Sequence, residues 1–297
     1  MRSTPRHRYT SIVNLLRDRV ASSIERARGR GALVSLPTDT TIVEDRGIPF
    51  VVHISALLER KERTRATKKI DKPVNPFLPP DPDLVVCEVP PDHLCVLNKF
   101  NVLDQHLLIV TRAFEPQQAL LNLGDFAALL SCMDETYGLG FYNGGTIAGA
   151  SQAHKHLQLV PLPLAGGFQP TPVDAVIDRS MDPGVLSTVP AMEFSHALIR
   201  LDGRWLDVQR ASELHQLYRR ACTAVGVDDE TRPYNLLITR RWMMLVPRSR
   251  ENWRGVSINA LGFAGSLLVR NRSELDVLKR IGPLAVLRSV ATEGPNP

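Results

Sequence analysis

Apolar runs along this chain are short, and the polar breaks between them decide what each run can form. GIPFVVHI (47–54), LVVCEV (84–89), HLCVL (93–97) and HLLIVT (106–111) are rich in β-branched and apolar residues and are bounded by Pro, Asp or Asn, which predicts strands. The intervals between the last three are too short for crossover helices, so these three are expected to be antiparallel neighbours. From 116 to 136 the period lengthens to that of a helix, with Leu120, Leu123, Ala127, Leu130 and Met133 as its apolar stripe. GFYNGG then reads as a glycine-rich break and PLPLAGGFQPTPVDAV as a loop. In the second half HALIRL (196–201), a helix around 211–224, YNLLIT (234–239) and WMMLVP (242–247) repeat the mixture. Strands and helices mixed in this way, without an internal repeat, predict an α+β fold.

Near the start, Ile12, Leu15, Leu16, Val20 and Ile24 recur at near-helical spacing, so residues 1–31 read as an amphipathic helix with an arginine-rich outer face. A second basic run, Arg60, Lys61, Arg63, Arg65, Lys68 and Lys69, leads into DKPVNPFLPPDPD. That proline density excludes the interior of a helix or sheet and predicts a surface loop. The expected organisation is the basic helix (1–31), an N-terminal portion carrying a histidine motif (32–165), a loop or linker (166–190) and a C-terminal portion (191–297).

Composition narrows the classes of function. The 297 residues are 43% hydrophobic and 23% charged, which is ordinary for a globular chain able to bury a core. No 18 consecutive residues are apolar and the N-terminus lacks an uninterrupted apolar stretch, so no membrane association is expected and the cytoplasm is the expected compartment. Cys87, Cys95, Cys132 and Cys222 form no Cys-x-x-Cys pair and are expected to be buried, reduced thiols. The net charge of +5 is local: residues 1–31 hold eight arginines against Asp18 and Glu25, which leaves the remainder near neutrality. A solvated helix face explains this better than a polyanion-binding arm, so a nucleic acid is not the expected partner.

The chemistry concentrates in GASQAHKHLQLVPLP (149–163). HKHLQLV is short, ends at a proline and has no helical period, so it is expected to be a strand, whose alternate side chains share a face. His154, His156 and Gln158 would then project together, roughly 7 Å from one to the next, with Leu157 and Leu159 turned into the core. Gly144, Gly145, Gly149, Ala150 and Ser151 leave backbone N–H groups uncrowded, which suits a phosphate cradle, and Asn143 and Gln152 add amide donors. A row of imidazole and amide groups beside such a loop can hold a phosphoryl group against a nucleophilic nitrogen. His-x-His on a strand also suits zinc, but a further ligand is needed and no nearby cysteine or carboxylate offers itself.

HKHLQ, with GASQ before it, resembles the active-site segment of the diadenosine tetraphosphate phosphorylases (ATP adenylyltransferases), the transferase branch of the histidine-triad superfamily. NPFLPPDPDLVV, LNKFNVLDQHLLIVTRAFEPQ, FYNGG, YNLLITRRWMMLVPRS and NALGFAGSLLV follow in family order, so the resemblance spans most of residues 45–270. It implies histidine-triad-like antiparallel sheets with flanking helices and the histidine motif on a central strand.

For the chemistry, the resemblance implies that His156 attacks the α-phosphorus of a bound dinucleoside polyphosphate, expels ATP and becomes adenylylated, after which phosphate takes the adenylyl group to give ADP. The His156 ring would be oriented by a hydrogen bond to the backbone at His154, and Gln158 would donate to a nonbridging phosphate oxygen. Hydrolase relatives carry a third histidine where this chain has Gln158, whose amide shuttles no proton at neutral pH, so phosphate is expected as acceptor rather than water. Asn98, Lys99, Asn143, Gly149, Ala150, Ser151, Gln152, Thr239, Met244 and Arg248 resemble family nucleotide- or phosphate-contact positions. His53 is a departure, since an arginine or lysine is usual there. The implied ligands are diadenosine polyphosphates, ATP, ADP and phosphate; a monomer is common in the family. A divalent cation, Mg2+ or Mn2+, is reasonable on phosphate-charge grounds although no carboxylate cluster marks a site, and no organic cofactor is implied. Two other readings stay open. Galactose-1-phosphate uridylyltransferases share His-x-His-x-Gln but typically add a Cys-x-x-Cys zinc set that this chain lacks, and a non-catalytic nucleotide- or RNA-binding protein would use the arginine-rich helix.

Overall fold

The computed structural model describes residues 6–55, 75–133, 138–164, 169–177, 180–202 and 208–293. The basic run at 60–69 lies outside them. Helix α1 (Arg6–Gly29) opens the chain and is followed by the hairpin β1 (Asp39–Asp45) and β2 (Ile48–Ile54). The three runs expected to be antiparallel neighbours are β3 (Val85–Val89), β4 (His93–Leu97) and β5 (Leu107–Thr111), paired antiparallel in that order. Next come α2 (Leu123–Cys132), β6 (Leu139–Gly144), β7 (His156–Val160), β8 (Leu186–Ser187) and β9 (Ala197–Arg200). The chain continues through α3 (Ala211–Ala224), β10 (Tyr234–Ile238), β11 (Trp242–Pro247), and β12 (Asn252–Trp253) with β13 (Val256–Ser257). It closes with α4 (Ala260–Phe263), β14 (Ser266–Val269), α5 (Arg272–Ile281) and α6 (Pro283–Val290).

Among the described residues nine strands form one sheet in the order β3-β4-β5-β7-β6-β10-β11-β9-β8, with antiparallel pairing throughout. The motif strand β7 therefore sits inside the sheet, between β5 and β6. A smaller sheet, β1-β2-β14, contains a parallel pair, β2 with β14. Strand alternation separates two large cores, beside a smaller cluster of Phe77, Val96, Leu108 and Val110. Leu157, Leu159, Leu236 and Ile238 join α1, α2 and α3 in one; Val160, Phe141, Leu237 and Met244 join the smaller sheet, α5 and α6 in the other. No helix among the described residues is long and apolar enough to cross a membrane. Cys95, Cys132 and Cys222 are buried, Cys87 is half-buried, and none is in a disulfide.

Two local expectations are corrected. GFYNGG is not a break: it is most of β6, buried along its whole length. Its glycines serve close packing, because a Cβ on Gly140 would lie 2.9 Å from Leu129 Cδ1 and one on Gly144 2.9 Å from the Tyr234 ring. The helix expected from 116 begins at Leu123. Asn122 caps it, its side chain accepting from Asp125 N at 3.0 Å while Asp125 Oδ2 accepts from Asn122 N at 2.8 Å, a capping box that outcompetes earlier initiation. Leu123 is consequently 47% exposed, while Leu130 and Met133 of the expected stripe are buried and are joined in the core by Phe126 and Leu129.

Asp125 also ties α2 to the motif segment. Lys155, 1% exposed, reaches Asp125 Oδ2 at 2.6 Å, Glu115 Oε2 at 3.0 Å and Leu120 O at 3.3 Å. The other Asp125 oxygen meets His93 Nε2 at 3.0 Å. Burial opposes charge on Asp125, but its hydrogen bond with His93 and the charge and hydrogen bond of Lys155 hold its pKa below the usual range. Lys155→Met should leave this carboxylate buried without its principal cation and lower stability by about 3–5 kcal/mol. Urea unfolding checks this; a change below about 1 kcal/mol, the worth of an exposed pair, would mean the ion pair is solvated.

Candidate active site

His156 heads β7, opposite Val110 of β5, and two residues on Gln158 faces Leu108 on one side and Phe141 on the other. His156 and Gln158 lie in the wall of a cavity of about 900 Å³. The His156 Nδ1 is 2.8 Å from the carbonyl oxygen of His154. A carbonyl only accepts, so Nδ1 carries the hydrogen and Nε2 keeps its lone pair. Burial pushes the His156 pKa down to about 4, only partly opposed by that hydrogen bond, with neighbouring His154 pushing the same way as burial. The ring is therefore neutral at pH 7 and presents one defined tautomer.

His154 is not in the cavity wall. Its Nε2 lies 2.8 Å from Thr111 O and its Nδ1 lies 3.0 Å from Asn75 Nδ2, with the rings of Phe77 and Phe114 packed edge-on against it. Both nitrogens are engaged, so the expected row of three projecting groups reduces to two, and the backbone of His154 does what its ring does not. Among the described residues no trio of His, Cys, Asp and Glu is grouped to hold a metal ion.

Gln158 is oriented by a residue that pattern reading missed. His106 Nε2 lies 2.9 Å from Gln158 Oε1, and His106 Nδ1 lies 3.1 Å from Asn98 Nδ2. Burial, with His156 nearby, pushes His106 down to about 4 against the Gln158 hydrogen bond, so it is neutral at pH 7. With Asn98 donating to Nδ1, the ring hydrogen sits on Nε2 and points at Gln158 Oε1, which fixes the Gln158 amide with its NH2 group as the free end. The available signal was a single histidine at the head of an otherwise apolar run.

The glycine loop is built as a cradle. Gly145 and Gly149, both at φ +91°, bracket a 3-10 turn at Thr146–Ala148. A Cβ on Gly149 would meet Ile258 O at 2.7 Å, so only glycine fits there. Asn143 Oδ1 accepts from Asn235 Nδ2 at 2.8 Å and from Ala260 N at 2.9 Å, joining β6, β10 and α4 at the cavity. Asn143, Gly149, Ser151 and Gln152 line the cavity with Asn98, Lys99 and His53. His53 is 7% exposed, neither ring nitrogen has a hydrogen-bond partner among the described residues, and burial lowers its pKa.

Four expected contact positions are not in that wall. Arg248, 3% exposed, spends its guanidinium on carbonyls of Val290, Ala148, Ile258, Arg250 and Glu251 and on Asn235 Oδ1. Burial lowers its pKa to about 10, so it stays protonated and acts as a cationic staple behind the loop rather than as a phosphate ligand. Thr239 Oγ1 accepts from the backbone N–H groups of Arg241 and Trp242 at the β10–β11 turn, Met244 belongs to the second core, and Ala150 is buried. Polarity and spacing alone do not reveal which way such side chains turn.

Residues 7–179 match the Ap4A phosphorylase N-terminal domain, and residues 190–293 match the ATP adenylyltransferase C-terminal domain. The chain belongs to the Ap4A phosphorylase family. Within that family it is similar to diadenosine 5',5'''-P1,P4-tetraphosphate phosphorylase 2 of Saccharomyces cerevisiae, at 30% identity over 246 residues, 72% of this chain and 74% of the relative. Protein APA1 of the same yeast is 26% identical over 304 residues, 88% of this chain and 87% of the relative. Crystal structures of yeast Ap4A phosphorylase Apa2 share the fold at 24% identity. The AMP complex gives a TM-score of 0.77 over 95% of this chain and 97% of that one, and the Ap4A complex 0.74 over 95% and 98%. This family member thus has the α+β fold that the resemblance implied, with its large sheet antiparallel and its smaller sheet mixed.

In 15N-labelled protein, His156 should show a protonated Nδ1 and an unprotonated Nε2 from pH 8 down to about 5 and should titrate near 4. The neutral form is lost as pH falls through the depressed pKa. Titration near the ordinary value of about 6.5 would contradict the burial described.

Proposed function

We propose that this chain catalyses phosphorolysis of diadenosine tetraphosphate to ATP and ADP through an adenylyl-His156 intermediate. The observation that carries the reading is the neutral, buried His156 ring, pinned through Nδ1 to His154 O so that Nε2 is the nitrogen available to the cavity. Nε2 attacks the α-phosphorus in line; the N–P bond forms while the P–O bond to the departing ATP breaks. Positive charge developing on the ring is spread to Nδ1–H, whose hydrogen bond to the His154 carbonyl stabilises it. The oriented Gln158 NH2 group and the glycine loop meet the phosphoryl oxygens. A phosphate oxygen then attacks the same phosphorus, the N–P bond breaks and ADP leaves.

His106, its basicity lowered by burial and both its nitrogens engaged by Gln158 and Asn98, is a poor proton acceptor, and the Gln158 amide shuttles no proton. Water as nucleophile would need a base; phosphate, already anionic at pH 7, does not, and this favours phosphorolysis. His53 adds a neutral ring with two open nitrogens to the cavity, suited to donate one hydrogen bond to a phosphate oxygen where arginine or lysine would supply charge. A divalent cation would enter with the polyphosphate, held by its oxygens.

Brief exposure to diadenosine tetraphosphate without phosphate should add one AMP mass to the protein, acid-labile and absent from His156→Ala. Adduct on the His156→Ala variant, or none on the wild type, overturns the reading. His106→Leu should free the Gln158 amide to rotate and lower kcat by about 100-fold, the loss typical for one oriented oxyanion donor; steady-state release of ATP measures it, and an unchanged kcat would show that the Gln158 amide is held by other means.

A further inference from the structure

The ladder between β6 and β7 stops short of the nucleophile. Its register runs Leu139↔Val160, Gly140↔Leu159 and Phe141↔Gln158; continued, it would pair Asn143 with His156. Instead the Gln117 side chain, 1% exposed, stands between these two residues. Its Oε1 accepts from His156 N at 2.8 Å, and its Nε2 donates to His156 O at 3.2 Å and to Asn143 O at 2.9 Å. Gln117 N donates to Ala153 O at 2.9 Å, so the residue is fastened at both ends of the segment 153–156. The amide occupies the place of a missing strand partner. It cannot be reversed, because that would set its oxygen against two carbonyl oxygens and its NH2 against an N–H.

The gap it fills has a purpose. Asn143 O also accepts from Gly145 N at 2.9 Å, which turns the chain into the glycine loop at the point where β6 parts from β7. A continuous ladder would keep that loop flush against the nucleophile strand. Opening the strands without Gln117 would leave buried backbone groups of His156 without partners, at a cost of about 1–3 kcal/mol each.

We propose that Gln117 is a positioning residue for nucleotidyl transfer. By holding His156 N and O and Ala153 O, it fixes the backbone whose His154 carbonyl aims the His156 ring, and through Asn143 it sets the distance from that ring to the loop. It touches neither substrate nor reacting atoms. The inference rests on His156 being the nucleophile.

Gln117→Glu and Gln117→Leu in the full chain test it. Glutamate keeps the shape and the acceptor for His156 N–H but turns an oxygen towards two carbonyls; leucine removes all three bonds. Single-turnover formation of adenylyl-His156 should fall about 100-fold in either, the scale expected of an ångström-sized misplacement. Nucleotide affinity, read by ADP titration, should change far less than the rate. Circular dichroism at the assay temperature establishes folding, and if the leucine variant does not fold, the isosteric glutamate variant decides. A folded Gln117→Glu that adenylylates at the wild-type rate, or that loses affinity and not rate, overturns the inference alone. No adenylylation of the wild type overturns the nucleophile assignment and this inference with it.

Discussion

The hydrogen bond from His156 Nδ1 to the His154 carbonyl is the constraint on which the site depends. It removes a choice that a free imidazole keeps open, between two tautomers and many ring angles. Because the acceptor is a carbonyl, the hydrogen stays on Nδ1 and the lone pair on Nε2. Burial adds the second half by disfavouring the charged ring. A hydrogen bond between the head of β7 and the residue two before it is only as well directed as the backbone that joins them, and this explains the support built around it.

The support comes from both faces of the sheet. On the α2 side, Lys155 carries a buried charge into a group with Asp125, Glu115 and His93, anchoring the segment between the two histidines to the first turn of a capped helix. On the cavity side, His106 orients Gln158 and is itself oriented by Asn98. Behind the glycine loop, Arg248 fastens Ala148, Asn235 and Ile258 together. Each of these polar groups is expensive to bury and acceptable only because its partners are present. They hold the polar groups of the cavity through bonds internal to the protein, the preorganisation on which electrostatic stabilisation of a transferring phosphoryl group depends.

Secondary structure was largely legible where side chains alone set the period. The strands at 48–54, 85–89, 93–97, 107–111, 234–238 and 242–247 and the helix at 211–224 lie where the apolar runs predict them. Strand β6 was misread because glycine signals a turn locally, whereas Gly140 and Gly144 answer to Leu129 and Tyr234 from distant parts of the chain. The start of α2 was misplaced because Leu120 and Leu123 fit a helical stripe, while the Asn122 and Asp125 box starts the helix at Leu123.

The histidine motif, its strand, the glycine loop and the phosphate chemistry they suit were determined by sequence alone, because all lie within a few residues where strand alternation and glycine's lack of a side chain dictate geometry. Only the tertiary structure decided which polar groups act on the cavity and which hold it. It turned the His154 ring away, drew in His106 and Gln117 from 52 and 39 residues upstream of Gln158 and His156 in the sequence, as their bonds to those residues show, and enclosed Arg248 among carbonyls. The reason is that a buried polar side chain goes wherever its hydrogen-bonding capacity can be met. Those partners belong to strands and turns that are neighbours only once the sheet has formed.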